Sequence, residues 1–169
     1  MDIRIAGIQD DSVVDGEGIR LTVFGQGCPH HCKGCHNPQT WSEDGGYMTT
    51  TDKIMDIYKA NILLDGITFS GGEPFAQAEA FTKLARAVHE AGGTVWCYTG
   101  YTLERLKNSR NFYWIQFLNH IDVLVDGPFV ESLKDLTLQF RGSSNQNIYR
   151  KRGMSGWDLW VPEGQSNVA

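Results

Sequence analysis

The sequence predicts an α/β protein built as a partial, open (β/α) barrel, and three observations carry that prediction. Short β-branched runs alternate with amphipathic helical stretches along most of the chain. The strand-like runs end in glycine-rich loops, at Gly25-Gln26-Gly27, Gly71-Gly72 and Asp126-Gly127-Pro128. A closed eightfold barrel takes about 250 residues, whereas this chain has 169. That length suits about four or five β–α units of roughly 30 residues each, in one domain over 1–169.

Ile19 to Phe24 reads as a strand that runs through Gly25-Gln26-Gly27 into a group of cysteines. A helix capped near Thr51 places Ile54, Ile57, Tyr58 and Ile62 on one face. Ile67-Thr68-Phe69 is a buried strand stopping at Gly71-Gly72. The next helix runs from about Ala76 to Glu90, with Phe81, Leu84, Ala85 and Val88 on one side, and ends at Gly92-Gly93. A strand at Thr94 to Tyr98, helical turns through Leu103 to Leu118 and a strand at Ile121 to Val125 repeat the pattern. Leu133 to Arg152 is polar and unassigned, and the chain after Pro162 is expected to fray. Alternation of this kind implies parallel strands, with ligands gathering beyond their C-terminal ends. A barrel left open on one side needs a large partner to cover it during turnover.

Composition narrows the function. With 41% hydrophobic and 21% charged residues and no apolar run near the roughly 20 residues that span a bilayer, a membrane role is not expected. A net charge of −5 disfavours nonspecific binding to nucleic acid, although Arg141 to Arg152 forms a local basic patch. Met1-Asp2-Ile3-Arg4 lacks the basic head and apolar stretch of a signal peptide, so a cytoplasmic, reducing location is expected.

Three of the four cysteines lie within Cys28-Pro29-His30-His31-Cys32-Lys33-Gly34-Cys35. Crowding of this kind reads as metal or redox ligation and not as a disulfide framework. Cys28, Cys32 and Cys35 would bind an iron–sulfur cube with one iron left open, because such clusters usually take four thiolates. Two alternatives remain at this level. His30, His31 or His36 would complete a zinc site with the thiolates, or Cys97 would serve as a fourth thiolate in an electron-transfer protein. Cys97 sits between Trp96 and Tyr98, where a lone cysteine reads as a small buried hydrophobe. His89 and His120 read as surface residues.

The cysteine spacing, followed one β–α unit later by Gly71-Gly72-Glu73-Pro74, resembles the radical S-adenosylmethionine superfamily. Asp15-Gly16-Glu17-Gly18-Ile19-Arg20 with Phe24 and Gly27-Cys28 is similar to the glycyl-radical-enzyme activases within it, many of which carry proline where Glu17 stands. Trp96-Cys97-Tyr98-Thr99-Gly100-Tyr101, Val123-Leu124-Val125-Asp126-Gly127 and Phe140-Arg141-Gly142-Ser143-Ser144-Asn145-Gln146 resemble the branch that acts on anaerobic ribonucleoside-triphosphate reductase. An activase for another glycyl-radical enzyme is the second reading.

The resemblance implies an oxidoreductase with a 4Fe-4S cluster on Cys28, Cys32 and Cys35 and S-adenosylmethionine as cosubstrate. Reductive cleavage to methionine and a 5′-deoxyadenosyl radical would then place a glycyl radical on the reductase. An electron donor such as reduced flavodoxin is implied as well. Gly34, Cys35 and His36 would border the adenine, Gly71, Gly72 and Glu73 would receive the ammonium group, and Asp126 and Thr99 would bind other polar ends. Lys33 and the loop histidines would face solvent or the reductant. Arg141 and Asn145 would serve either cofactor or partner.

Overall fold

Side chains alternate across a strand, so Leu21 and Val23, Ile67 and Phe69, Val95 and Cys97 all point to one face of any sheet they share. The computed structural model describes residues 1–154 and 156–165. It contains strands β1 (Asp2–Ser12), β2 (Arg20–Gly25), β3 (Tyr47–Thr50), β4 (Gly66–Gly71), β5 (Thr94–Tyr98), β6 (Val123–Asp126), β7 (Asn147–Arg152) and β8 (Gly156–Trp160). Helices α1 (Thr51–Ala60), α2 (Ala78–Glu90), α3 (Leu103–Lys107) and α4 (Phe112–Asn119) lie between them in sequence. The strands form one open sheet in the order β3-β1-β2-β4-β5-β6-β7-β8.

β2, β4, β5 and β6 are parallel, and the outer strands are antiparallel. The parallel part is therefore shorter than the length suggested, because both flanks extend the sheet without helical crossovers. In β1 only Ile3 and Ile5 are deeply buried apolar positions, which leaves the sequence little alternation to reveal a strand. The polar stretch Leu133 to Arg152 contains β7, whose Arg150 and Lys151 find partners in distant loops. Residues 163–165 are described as a turn ending, and 166–169, where fraying was expected, lie outside the described residues.

Helix ends also differ from expectation. Thr50 caps α1 by accepting from Lys53 N at 3.3 Å, but the helix stops at Ala60, so Ile62 is 93% exposed and its core face is Ile54, Met55 and Tyr58. The turns through Leu103 to Leu118 are two helices, because the Asn111 side chain accepts from Tyr113 N at 2.9 Å and starts α4 afresh. His89 and His120 are half-buried. His89 Nε2 lies 2.8 Å from Asp122 Oδ2, and Arg86 Nε donates to His120 at 3.0 Å.

One face of the sheet carries the main core, where Phe69, Phe75, Phe81 and Phe117 meet tilted, with Phe81 and Phe117 stacked. The other face holds Arg20, Thr22, Phe24, Thr68, Ser70, Trp96 and Tyr98, and is polar where Arg20 lies. Arg20 is buried without a carboxylate partner. Its five N–H groups donate instead to Thr68 Oγ1, Glu17 O, Thr94 Oγ1, Ile67 O and Thr94 O at 2.7–3.2 Å. Burial lowers its pKa to about 10, which leaves it cationic at neutral pH. Full satisfaction of the donors makes the buried guanidinium tolerable, and it ties the loop before β2 to β4 and β5. Glu17, where many activases have proline, forms an ion pair with Arg150 of β7.

Candidate functional site

Strand ends decide where the cysteines lie. β2 and β4 run in register from Arg20 beside Gly66 to Gly25 beside Gly71, and the chains beyond them stay laced together. Gly72 N donates to Gly25 O and Glu73 N to Gly27 O, both at 2.8 Å. Gly27 N and Cys28 N donate in turn to Thr40 O and Trp41 O at 2.8 and 3.0 Å. These bonds clamp the base of the cysteine loop against the Gly71-Gly72 turn. Gly71 has φ +91°, and an added Cβ would stand 2.7 Å from Phe24 Cα. Gly71→Ala is therefore expected to lower stability by about 2 kcal/mol or more, through both the left-handed backbone and the clash. A denaturant titration checks it.

The loop and strand ends surround a cavity of about 510 Å³, within the range of small-molecule sites. Cys28, Cys32, Cys35, His36, Gly71, Gly72 and Thr99 line it, so most of the residues singled out in the sequence meet there. Asp15, Ser70, Tyr98, Phe129, Phe140 and Gln146 line it too. Only Asp15, Tyr98, Phe140 and Gln146 had a sequence signal, as members of motifs whose individual roles were not separable. His36 lies against Phe129, ring centroids 4.9 Å apart, and the pair makes one aromatic wall.

Gly34, Glu73 and Asp126 are not among the lining residues. Gly34 takes φ +73° and packs on Glu131, where a Cβ would come within 2.8 Å of Oε1. The buried Glu73 carboxylate already accepts four donors. Phe75 N reaches Oε1 at 3.0 Å, Thr99 Oγ1 reaches both oxygens at 2.9 and 3.0 Å, and Gly100 N and His30 Nε2 reach Oε2 at 2.9 and 2.7 Å. His30 therefore belongs to this network and rests edge-on against Tyr101, not in solvent as its place in the loop suggested. Lys33 is solvent-facing and pairs with Glu131 at 3.2 Å. Asp126 accepts from Leu103 N at 2.6 Å and from Asn147. It holds the start of α3 to β7, and burial raises its pKa.

Three thiolates are the donor type that iron–sulfur clusters take. Cys28, Cys32 and Cys35 are free and half-buried on one cavity wall. Burial pushes the Cys28 thiol up, and hydrogen bonds from the backbone of His30 and His31 pull it back toward the thiolate that ligation needs.

Cys97 lies on the other face of the sheet. It pairs in register with Phe69 and Leu124, is fully buried in the main core, and burial raises its pKa well above the ordinary thiol value. It cannot reach the cavity without reversing the strand. Cys97→Ala is expected to keep all its iron and to lose about 1 kcal/mol of stability through packing. Iron analysis beside thermal melting checks both halves.

An open α/β sheet with three free thiols and a Gly-Gly-Glu-Pro turn at its parallel strand ends is the setting of an iron–sulfur protein. The family described as "4Fe-4S single cluster domain" matches residues 14–149. QueE from Escherichia coli superposes with a TM-score of 0.52 at 16% identity, over 60% of this chain and 54% of that one. Anaerobic ribonucleoside-triphosphate reductase-activating proteins are similar over most of their length. That of Vibrio cholerae is 41% identical over 82% of this chain and 92% of its own. That of Escherichia coli K12 is 38% identical over 83% and 94%, and that of phage T4 30% identical over 80% and 86%. The chain belongs to the family of anaerobic ribonucleoside-triphosphate reductase-activating proteins.

Proposed function

We propose that this chain activates an anaerobic ribonucleoside-triphosphate reductase by using S-adenosylmethionine at a 4Fe-4S cluster held by Cys28, Cys32 and Cys35. One observation carries the reading: three free thiols share a cavity with the Gly71-Gly72 turn, and the remaining cysteine faces away. When bound, the cluster supplies one electron that breaks the cosubstrate's sulfonium bond, giving methionine and a 5′-deoxyadenosyl radical able to take hydrogen from a partner's glycine.

The chain's own residues bind, orient and shield. Gly71 and Gly72 offer bare backbone at the wall for the ammonium group. Glu73 acts by holding Thr99, Gly100 and His30 in place around that turn. His36 and Phe129 present ring faces suited to an adenine. Phe24, Leu138 and Phe140 line the cavity with apolar surface and limit water near a reactive radical. Asp126 supports the site from behind through α3. Lys33, 91% exposed beside the cysteines and paired with Glu131, marks the solvent side of the loop, where an electron donor such as reduced flavodoxin would approach. Among the described residues no helix is long and apolar enough to cross a membrane.

Anoxically reconstituted, reduced protein is expected to convert S-adenosylmethionine to 5′-deoxyadenosine and methionine, and to raise a glycyl-radical doublet in electron paramagnetic resonance when the reductase is added. Cluster-loaded protein that yields no deoxyadenosine with the reductase present overturns the reading.

A further inference from the structure

Cationic side chains are scarce in this cavity. Among the described residues that line it, Arg141 is the only lysine or arginine. It sits in the segment Arg141 to Gln146, which forms its own tight turn. Gly142 N and Ser143 N donate to Gln146 Oε1 at 2.9 and 3.2 Å, and Gln146 Nε2 donates to Gly127 O at 3.0 Å. The segment is thereby fastened to the end of β6, on the same side as the thiols.

The residue before it is held in an unusual state. Phe140 has φ +58°, a left-handed conformation that a bulky side chain seldom adopts unless its surroundings impose it. Its ring packs edge-on against Trp96, at 5.1 Å, and stacks near Trp160. The aromatic anchor fixes where the next side chain leaves the backbone.

Among the described residues the guanidinium has no carboxylate within bonding distance. NH1 donates to Gln146 O at 3.1 Å and NH2 makes a long contact of 3.5 Å to Gln165 Oε1. The Nε–H is buried and has no acceptor among the described residues. A cation that lines a cavity and has no counter-charge at bonding distance draws an anion into that cavity. Burial weakens its hold on the proton, although an arginine remains charged at neutral pH. The planar fork of an arginine matches a carboxylate.

We infer that Arg141 binds the carboxylate of S-adenosylmethionine inside the cavity, and so selects a ligand with an intact amino-acid end. The inference rests on the cosubstrate reading above. It gives the Arg141 to Gln146 segment a defined task, in which Gln146 holds the guanidinium through its backbone carbonyl and the loop through its side chain.

The test uses cluster-loaded protein without reductant, so that nothing turns over, and measures binding by equilibrium dialysis. The probes are S-adenosylmethionine and its decarboxylated form. In Arg141→Gln, affinity for S-adenosylmethionine is expected to fall about tenfold or more, with iron content unchanged and affinity for the decarboxylated form nearly unaltered. Any share of the preference that comes from iron is common to both proteins and cancels in the comparison. Arg141→Lys keeps the charge but lacks the fork, so it should recover part of the loss. Equal loss for both ligands means that Arg141 only shapes the loop, and no loss for either means that it faces something else. Both outcomes overturn the inference, including the case in which it meets a carboxylate of the partner protein. Wild-type protein that binds neither ligand instead overturns the cosubstrate reading itself.

Discussion

Cys32→Ala is expected to leave the protein folded but nearly without iron, from about four atoms per chain to close to none, and unable to activate the reductase. The thiols contribute nothing to the main core, which is built from Ile3, Leu21, Phe69, Phe81, Val95 and their neighbours on the far face of the sheet. Secondary structure should therefore survive the loss. A cube held by three protein thiolates has no spare thiolate: the fourth cysteine points away from the cavity, His30 is bonded to Glu73, and His31 and His36 lie against Trp41 and Phe129. Two thiolates leave two irons without a protein ligand, and clusters are held by thiolates. Iron and sulfide analysis of Cys32→Ala beside Cys97→Ala, with circular dichroism on both, makes the comparison. If Cys32→Ala keeps its iron, the cluster assignment fails. If Cys97→Ala loses as much as Cys32→Ala, the cluster has four protein ligands and leaves no iron open.

Glu73→Ala is expected to lower stability on the order of 3–4 kcal/mol, because four donors lose their acceptor at once in a place with little water. For a chain of this size that corresponds to a melting temperature lower by about 10 °C. Glu73→Gln should not rescue it, since an amide turns an N–H₂ group toward donors that need an acceptor. The carboxylate also caps the turn Pro74–Gln77 through Phe75 N, and it fixes Thr99 and Gly100 at the cavity wall. Cosubstrate affinity should therefore fall together with stability. A variant that melts like the wild type but binds S-adenosylmethionine at least tenfold more weakly would show that the carboxylate is free to touch the ligand, contrary to its bonding here.

The elements that could be read from the sequence are those whose signals are local. β5 spans Thr94 to Tyr98 as its alternation predicts, and α2 ends before Gly92, which takes φ +84°. The spacing of Cys28, Cys32 and Cys35 already implied one shared centre, because a loop of eight residues cannot carry its thiols far apart. The alternation around Cys97 likewise implied a buried apolar role. Such features depend on neighbours within a few positions.

Long-range partners decided the rest. Glu73 reads as a ligand residue in its motif, yet its acceptor capacity goes to His30, 43 positions away, and Thr99, 26 positions away. Asp126 resembles a cavity residue at a strand end until α3 presents Leu103 N to it. The pairing of Glu17 with Arg150 spans 133 positions. β1 and β7 show weak alternation because they lie on antiparallel flanks, where polar residues bond to distant loops. By itself, then, the sequence determined which cysteines stand together, the succession of central strands and helices, and the kind of chemistry, since each is a matter of residue type and short spacing. Only the tertiary structure decided which polar side chains face the cavity and which are consumed in holding it together, because a buried donor or acceptor bonds to whatever the fold brings within 3 Å, and that neighbour is seldom adjacent in the chain.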